Sequence, residues 1–292
     1  MSRMTREGMK IPVLTYHSMN VHGNDPWNND LVALARDLER ISEAGFEVVA
    51  LHDVVDAWLS HFAGLQGRKV VALTCDDGSD FDFFDLPHPQ WGIQRSVLNV
   101  LRDFRRAHPA AQPFLHITSF VIVSPGARAA LDRTCMLGKG WWIDDWWRSA
   151  AASSLMGIAN HSWDHNHESL PALGFSGMRR GSFESIDSRE LADFEISQAE
   201  RFLRRKAPND SWGLFAYPYG EFNEYLDGYF EASVRWRPLQ PSSWSRPRFR
   251  AAFTTEPAYL SRESLRWRLP RFVCGRDWKS PDELQRILDG AL

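Results

Sequence analysis

The run Val70-Val71-Ala72-Leu73-Thr74-Cys75 ends on two adjacent carboxylates, Asp76 and Asp77, followed by Gly78. A short, continuous apolar run is the pattern of a strand buried on both faces, as in a parallel sheet. Two carboxylates at the end of such a strand are costly to leave unpaired, so they need a cation, a proton or a solvated cleft. Far downstream, Ile158-Ala159-Asn160 leads into His161-Ser162-Trp163-Asp164-His165, a spacing that predicts two imidazoles one helical turn apart. One Asp and two His can supply three ligands to a divalent metal and leave a position open for water. The other Asp is then free to act as a base, and the combination points to metal-assisted hydrolysis.

The same alternation runs through the chain. Strands are expected at 11–16, 46–51, 70–75, 117–123, 155–160, 213–217, 249–254 and 268–273. Helices are expected at 30–44, 53–62, 93–107, 188–205 and 222–232, with a short one after Pro125-Gly126. Ser280-Pro281-Asp282-Glu283 is a capping box with proline at the first helical position, which opens a last helix over 281–290. Strand–helix alternation without internal repeats predicts a parallel sheet, either doubly wound or closed into a barrel. No Gly/Ser- or Pro-rich linker divides residues 1–292, so one domain is expected, with its core at 11–274. The long loops 78–92, 136–147 and 166–187 are the expected places for a site. Residues 233–248 read as irregular, a lid or a surface excursion.

Composition excludes several classes. A hydrophobic fraction of 43% with 24% charged residues is that of a globular protein, and a formal charge of −3 gives no reason to expect a nucleic-acid partner. The basic cluster Arg201, Arg204, Arg205, Lys206 reads as a solvated helix face. Cys75, Cys135 and Cys274 are scattered and odd in number, so the chain is not built on disulfides. The polar N-terminus lacks the apolar core of a secretory signal and no run approaches a membrane span, which makes the cytoplasm the expected location. Of the 13 tryptophans, four fall within Trp141-Trp142-Ile143-Asp144-Asp145-Trp146-Trp147. They either pack as a subdomain core or offer a ring to a sugar face.

Placement carries more than any single motif. Asp76-Asp77, His161, Tyr217-Pro218-Tyr219-Gly220 and Arg271 each fall at the carboxyl end of an expected strand, where (β/α) barrels assemble their sites. Thr74-Cys75-Asp76-Asp77-Gly78 resembles the TFDDG motif of the NodB-type polysaccharide deacetylases (carbohydrate esterase family 4). His161-Ser162-Trp163-Asp164-His165 resembles that family's H-S/T-x-x-H motif, and Tyr217-Pro218-Tyr219-Gly220 its third motif. Leu14-Thr15-Tyr16-His17-Ser18 is similar to the opening strand of bacterial members. Ala252-Phe253-Thr254-Thr255-Glu256-Pro257 with Leu269-Pro270-Arg271 resembles the branch that acts on poly-N-acetylglucosamine.

The resemblance implies an α/β fold, a distorted (β/α)7 barrel. It implies a metal held by Asp77, His161 and His165, zinc first among zinc, cobalt, nickel and iron, with Asp76 as general base toward the metal-activated water. It also implies an acetylated amino-sugar or other carbohydrate substrate, and an oxyanion held by the Tyr219 backbone N–H, with Pro218 and Trp163 flanking the substrate. A carboxylate on a cation is a poor base while its neighbour can take a proton, which agrees with this division. His167 is the alternative ligand to His165. Two family positions differ. The third-motif arginine falls at Ala216, and the late Leu-x-His reads Leu269-Pro270-Arg271. Arg271 offers a rigid fork to orient Asp76 but is a poor proton donor, so His17 is the candidate acid. Asp80, Asp82 and Asp85 read as a solvated loop and Cys75 as core packing. Other readings are a carbohydrate-binding pseudoenzyme and an amidohydrolase of a small non-sugar amide.

Overall fold

The computed structural model describes residues 8–172, 174, 179–209, 211–235 and 247–292. The first half contains β1 (Val13–Tyr16), α1 (Asp30–Glu43), β2 (Glu47–Val48), α2 (Leu51–Leu59), β3 (Val70–Cys75), β4 (Leu86–His88), β5 (Gly92–Gln94), α3 (Val97–Ala107), β6 (Ile117–Val121) and α4 (Pro125–Cys135). It continues with α5 (Trp147–Ala151), β7 (Met156–Asn160), α6 (Arg189–Ala192), α7 (Gln198–Lys206), β8 (Leu214–Ala216), α8 (Glu224–Arg235), β9 (Ala251–Phe253), β10 (Phe272–Val273) and α9 (Pro281–Asp289).

The main sheet runs β10-β1-β3-β6-β7-β8-β9, every pairing parallel, with β2 beside the start of β3. Residues 269–273 close it. Leu269 bridges to Phe253 on one side, while Phe272 and Val273 register with Leu14 and Thr15 on the other. Seven strands therefore form the distorted barrel that the alternation allowed and the family resemblance specified. Because they are parallel, all their carboxyl ends meet at one rim.

Strand alternation sorts side chains into two buried clusters. Val13, Ala72, Phe120, Ala159, Leu214, Ala216, Phe253 and Leu269 share the inner cluster. Their neighbours Leu14, Leu73, Cys75, Ile117, Val121 and Ile158 belong to the larger cluster under the helices. All six residues of β3 are buried, as its unbroken apolar run requires. The helices are capped by local chemistry: Asn29 Oδ1 accepts from Leu31 N at 3.0 Å to start α1, and Ser124 Oγ accepts from Ala127 N at 3.2 Å to start α4. The capping box of α9 forms as read, with Ser280 and Glu283 exchanging side-chain contacts.

Several expectations change. Helix α3 begins at Val97, because residues 86–94 fold into an antiparallel hairpin. The helix expected at 188–205 forms, but it carries a π-turn at Asp193–Ser197 between α6 and α7. Asp80 and Asp82 are buried rather than solvated. Trp142, Trp146 and Trp147 are buried and pack as core. Residues 236–246 of the expected irregular segment lie outside the described residues. The three cysteines are free thiols. Among the described residues, no helix is long and apolar enough to cross a membrane.

Candidate active site

At the rim, the backbone pairing of β1 and β3 continues one residue further, with Asp76 N–H donating to Tyr16 O at 2.9 Å. This places the Asp76 carboxyl beside the segment that closes the barrel. Arg271 is fully buried and grips Asp76 with both arms, Nη1 to Oδ1 at 2.7 Å and Nη2 to Oδ2 at 2.8 Å. The guanidinium is itself fixed: Nε donates to Thr254 O at 3.0 Å, and its centre lies 5.3 Å from the Phe120 ring. Burial pushes the Asp76 carboxyl up, but the Arg271 guanidinium, through its charge and its two hydrogen bonds, leads the effects that outweigh it and hold the carboxyl at about 2. Asp76 is thus ionised at neutral pH, with lone pairs left beyond the two that Arg271 takes.

Asp77 turns the other way. Its φ of 72° lies in the left-handed region, and Gly78 follows at 73°. A Cβ on Gly78 would sit 2.4 Å from Val121 Cγ1, so only glycine lets the chain pass β6 here. The Asp77 carbonyl accepts from Ile122 N and from Trp142 Nε1, both at 3.1 Å. One member of the tryptophan cluster therefore braces the motif through its indole N–H.

The two histidines do not share a helix. Ser162 and His165 have φ of 68° and 66°, and the segment is a loop of side-chain turns. Ser162 N–H donates to Asn160 Oδ1 at 2.9 Å, and His165 N–H donates to Ser162 Oγ at 2.8 Å. The π-turn lies beneath this loop. Glu195 O accepts from Trp163 N at 2.7 Å, and Glu195 Oε2 accepts from Asp164 N at 3.2 Å.

The loop brings both rings onto Asp77. His161 Nε2 lies 3.6 Å and His165 Nε2 3.7 Å from Asp77 Oδ1. The ligand atoms of Asp77, His161 and His165 all fall within 4.8 Å of one another. His161 Nδ1 donates to Ala216 O at 2.8 Å, which fixes the tautomer and leaves the Nε2 lone pair facing Asp77. Burial, then the neighbouring His161 and His167, push the His165 ring well below the usual imidazole range, so it is neutral. Two imidazoles and one carboxylate are the donor types that a divalent metal takes, and they fit it here. His167 stays outside this cluster, its Nδ1 2.9 Å from Ser169 Oγ and its Nε2 3.8 Å from Cys135 Sγ.

These groups line a cavity of about 330 Å³ together with His17, Tyr217, Tyr219 and Arg276. His17 Nδ1 is buried and has no hydrogen-bond partner among the described residues. Tyr219 has φ 60°, and no acceptor among the described residues takes its N–H. Its ring packs edge-on against His165 at 4.5 Å. Among the described residues, four of the eight non-glycine residues with positive φ (Asp77, Ser162, His165, Tyr219) belong to the three motif segments and a fifth, Asn166, directly follows the second, so backbone strain is concentrated at the site. Two expected substrate neighbours are placed elsewhere. Pro218 is buried under the turn, and Trp163 packs edge-on against Phe194 and Phe202, so neither lines the cavity. Sequence reasoning missed Arg276, and it singled out Trp142 only as one ring of a cluster, without its hydrogen bond to the Asp77 carbonyl. Arg276 holds the Thr255 carbonyl beside Gly220, and nothing in its local sequence marks it.

Solved structures share this barrel fold across nearly the whole chain. A Streptococcus pyogenes deacetylase, PplD, in complex with acetate superimposes with TM-score 0.62 at 17% identity, covering 96% of this chain and 99% of its own. A de-N-acetylase from Aggregatibacter actinomycetemcomitans gives TM-score 0.59 at 14% identity over 97% of this chain and 100% of its own. IcaB from Ammonifex degensii gives 0.59 at 17% identity, covering 97% of each. No family model and no curated protein matches the sequence.

Proposed function

We propose that this chain is a metal-dependent hydrolase that removes an acetyl group from a sugar-containing substrate, in the first place from an amide nitrogen. One observation carries the reading: three metal-type donors converge beside a separate carboxylate that a buried arginine keeps ionised, all at one barrel rim. The names of the structural neighbours, deacetylases and a de-N-acetylase, support the same reaction class. A divalent ion held by Asp77, His161 and His165, zinc first and cobalt, nickel or iron as alternatives, would supply Lewis acidity at the acetyl carbonyl.

The chain's own groups divide the proton work. Asp76 takes a proton from the attacking water, and Arg271 keeps the carboxylate ionised and aimed. With its carboxyl near 2, Asp76 is a weak base by strength, so it contributes through position. The Tyr219 N–H donates to the oxygen that gains charge as water adds to the carbonyl. His17, at the opposite end of the chain from Arg271, gives a proton to the departing amine. Water and amide become acetate and free amine.

Acetate release from N-acetylglucosamine oligomers, measured with and without chelator, tests this. Chelation should abolish release, and metal should restore it. Asp76→Asn should keep its metal by elemental analysis while turnover falls by about 10³-fold. Release that survives both chelation and Asp77→Ala would overturn the metal assignment. A panel of small non-sugar amides hydrolysed in preference to the oligomers would overturn the substrate class.

A further inference from the structure

A second cavity, about 450 Å³, adjoins the first and shares Met19 and Cys135 with it. Nothing in the hydrolytic chemistry uses it. Its walls come from the β1–α1 connection, the tip of the β4–β5 hairpin and the residues just after α4. Trp91 on the hairpin and Leu137 after α4 are large apolar side chains left 36% and 38% exposed, and both line this space. Its volume is within the range of small-molecule sites.

The lining chemistry narrows the occupant. No carboxylate, lysine or arginine lines the cavity, and its two histidines, His22 and His88, are the groups that could carry charge, so it offers no permanent charge to a phosphate or an ammonium group. It has instead an indole face, thioether and aliphatic surface, and neutral polar groups. His88 Nδ1 accepts from Gln90 N at 3.3 Å, so the neutral ring carries its proton on Nε2 as a donor. The Gln90 side chain adds both a donor and an acceptor. An apolar face edged by neutral donors and acceptors is complementary to a pyranose ring, with its C–H face and equatorial hydroxyls.

The hairpin is also held in place. Gln94 is buried and its Nε2 donates to the Trp91 carbonyl at 2.9 Å. Its Oε1 accepts from Asn29 Nδ2 at 2.6 Å, and Asn29 is the residue that caps α1. Trp91 is therefore presented on a backbone fixed before any ligand arrives, which lowers the ordering cost of binding.

We propose that this cavity is a subsite for a neutral sugar ring adjoining the one that sits at Asp76 and Asp77, with Trp91 as its stacking face. This rests on the reading of the neighbouring cleft as a deacetylase of a sugar-containing substrate, and it makes the substrate an oligomer rather than a single sugar.

The test compares N-acetylglucosamine with its β-1,4- and β-1,6-linked oligomers up to the hexamer. In the unaltered protein, kcat/KM should rise from monomer to trimer in at least one series. Trp91→Ala should remove most of that rise, by about tenfold and mainly through KM, while the monomer rate stays the same. Leu137→Ala should lower the rise by a smaller factor, and melting temperature checks that both variants fold. A rise that persists in both variants, or no rise in either series, overturns the subsite. If the protein hydrolyses no member of either series, the deacetylase reading fails. In that event, titration of the hexamers into Asp76→Asn protein, with and without Trp91→Ala, decides the subsite. Binding that Trp91→Ala weakens supports it, and absence of binding or indifference to the substitution overturns it.

Discussion

On one side of the cleft, Asp76 and His161 are tied to strand backbone or to a buried partner. Asp76 extends a β1–β3 pairing and is gripped by Arg271, and His161 donates to the β8 residue Ala216. On the other side, Trp91 and Leu137 are exposed side chains on a hairpin and a loop and Cys135 is exposed at the end of α4, with support such as the side-chain bridge from Gln94 to Trp91 O. The first region holds atoms to hydrogen-bond tolerance, as proton transfer and ligation require. The second offers area and shape, which a sugar chain needs and which tolerates substitution. The contrast separates what should fail completely from what should fail by degree.

The sharpest way to break the contrast is His161→Ala, which removes a ligand on the rigid side. It should lose the metal, as read by elemental analysis, and with it all measurable acetate release. Normal metal content in that variant would show that the ligand set is wrong. Arg271→Met comes next. It leaves the Asp76 charge buried and unpaired, so unfolding by denaturant should show a loss of roughly 3–5 kcal/mol. His17→Gln should fold normally and slow turnover by about 10²-fold with the amide substrate. An acetyl ester, whose leaving group needs less help from an acid, should be affected less. An equal loss on both would remove His17 from the proton path.

The smallest effect is a pH slope. Burial pushes the carboxyl of Asp82 up to about 7, against the hydrogen bonds it accepts from Ser119, Ser18 and Cys75. The folded protein therefore prefers the protonated form. Its contribution to stability is complete below the unfolded value near 4 and is lost as pH rises through about 7. His116, pushed by burial down to about 3, works in the opposite direction below pH 6.5. For that reason the readout is a difference. Relative to Asp82→Asn, the unaltered protein should lose melting temperature steadily between pH 4 and pH 7. Parallel curves for the two would mean that Asp82 stays charged throughout.

Much of the rigid side was legible in the sequence because its physics is local in the chain. An apolar run that ends in two carboxylates marks a strand and its rim, and β3 has the expected bounds. Asp77, His161 and His165 meet as the motifs implied, and Arg271 reaches Asp76 as its fork suggested. The helical reading of His161–His165 failed because spacing gives no sign of φ at Ser162, where an Asn160 side-chain turn overrides the helix. Burial of Asp80 and Asp82 was invisible because their partners, Trp146 Nε1, Ile143 N and Ser119 Oγ, come from distant segments. The hairpin was hidden by its short strands and by Pro87, which reads against a strand. The exposed side of the cleft was therefore the less legible one, since its residues are chosen by what lies across a gap.

Asp76 and Arg271 stand 195 residues apart, and Arg271 lies in the segment that joins the last strand to the first. Closure of the barrel and neutralisation of its buried carboxylate are therefore one event. Until residues 269–273 dock, Asp76 has no counter-ion, and an open barrel cannot settle into a comfortable resting state. Coupling at such long separation makes folding slow. It also means that a nearly folded chain carries an unmatched charge at the rim, so the cleft and the fold are completed together.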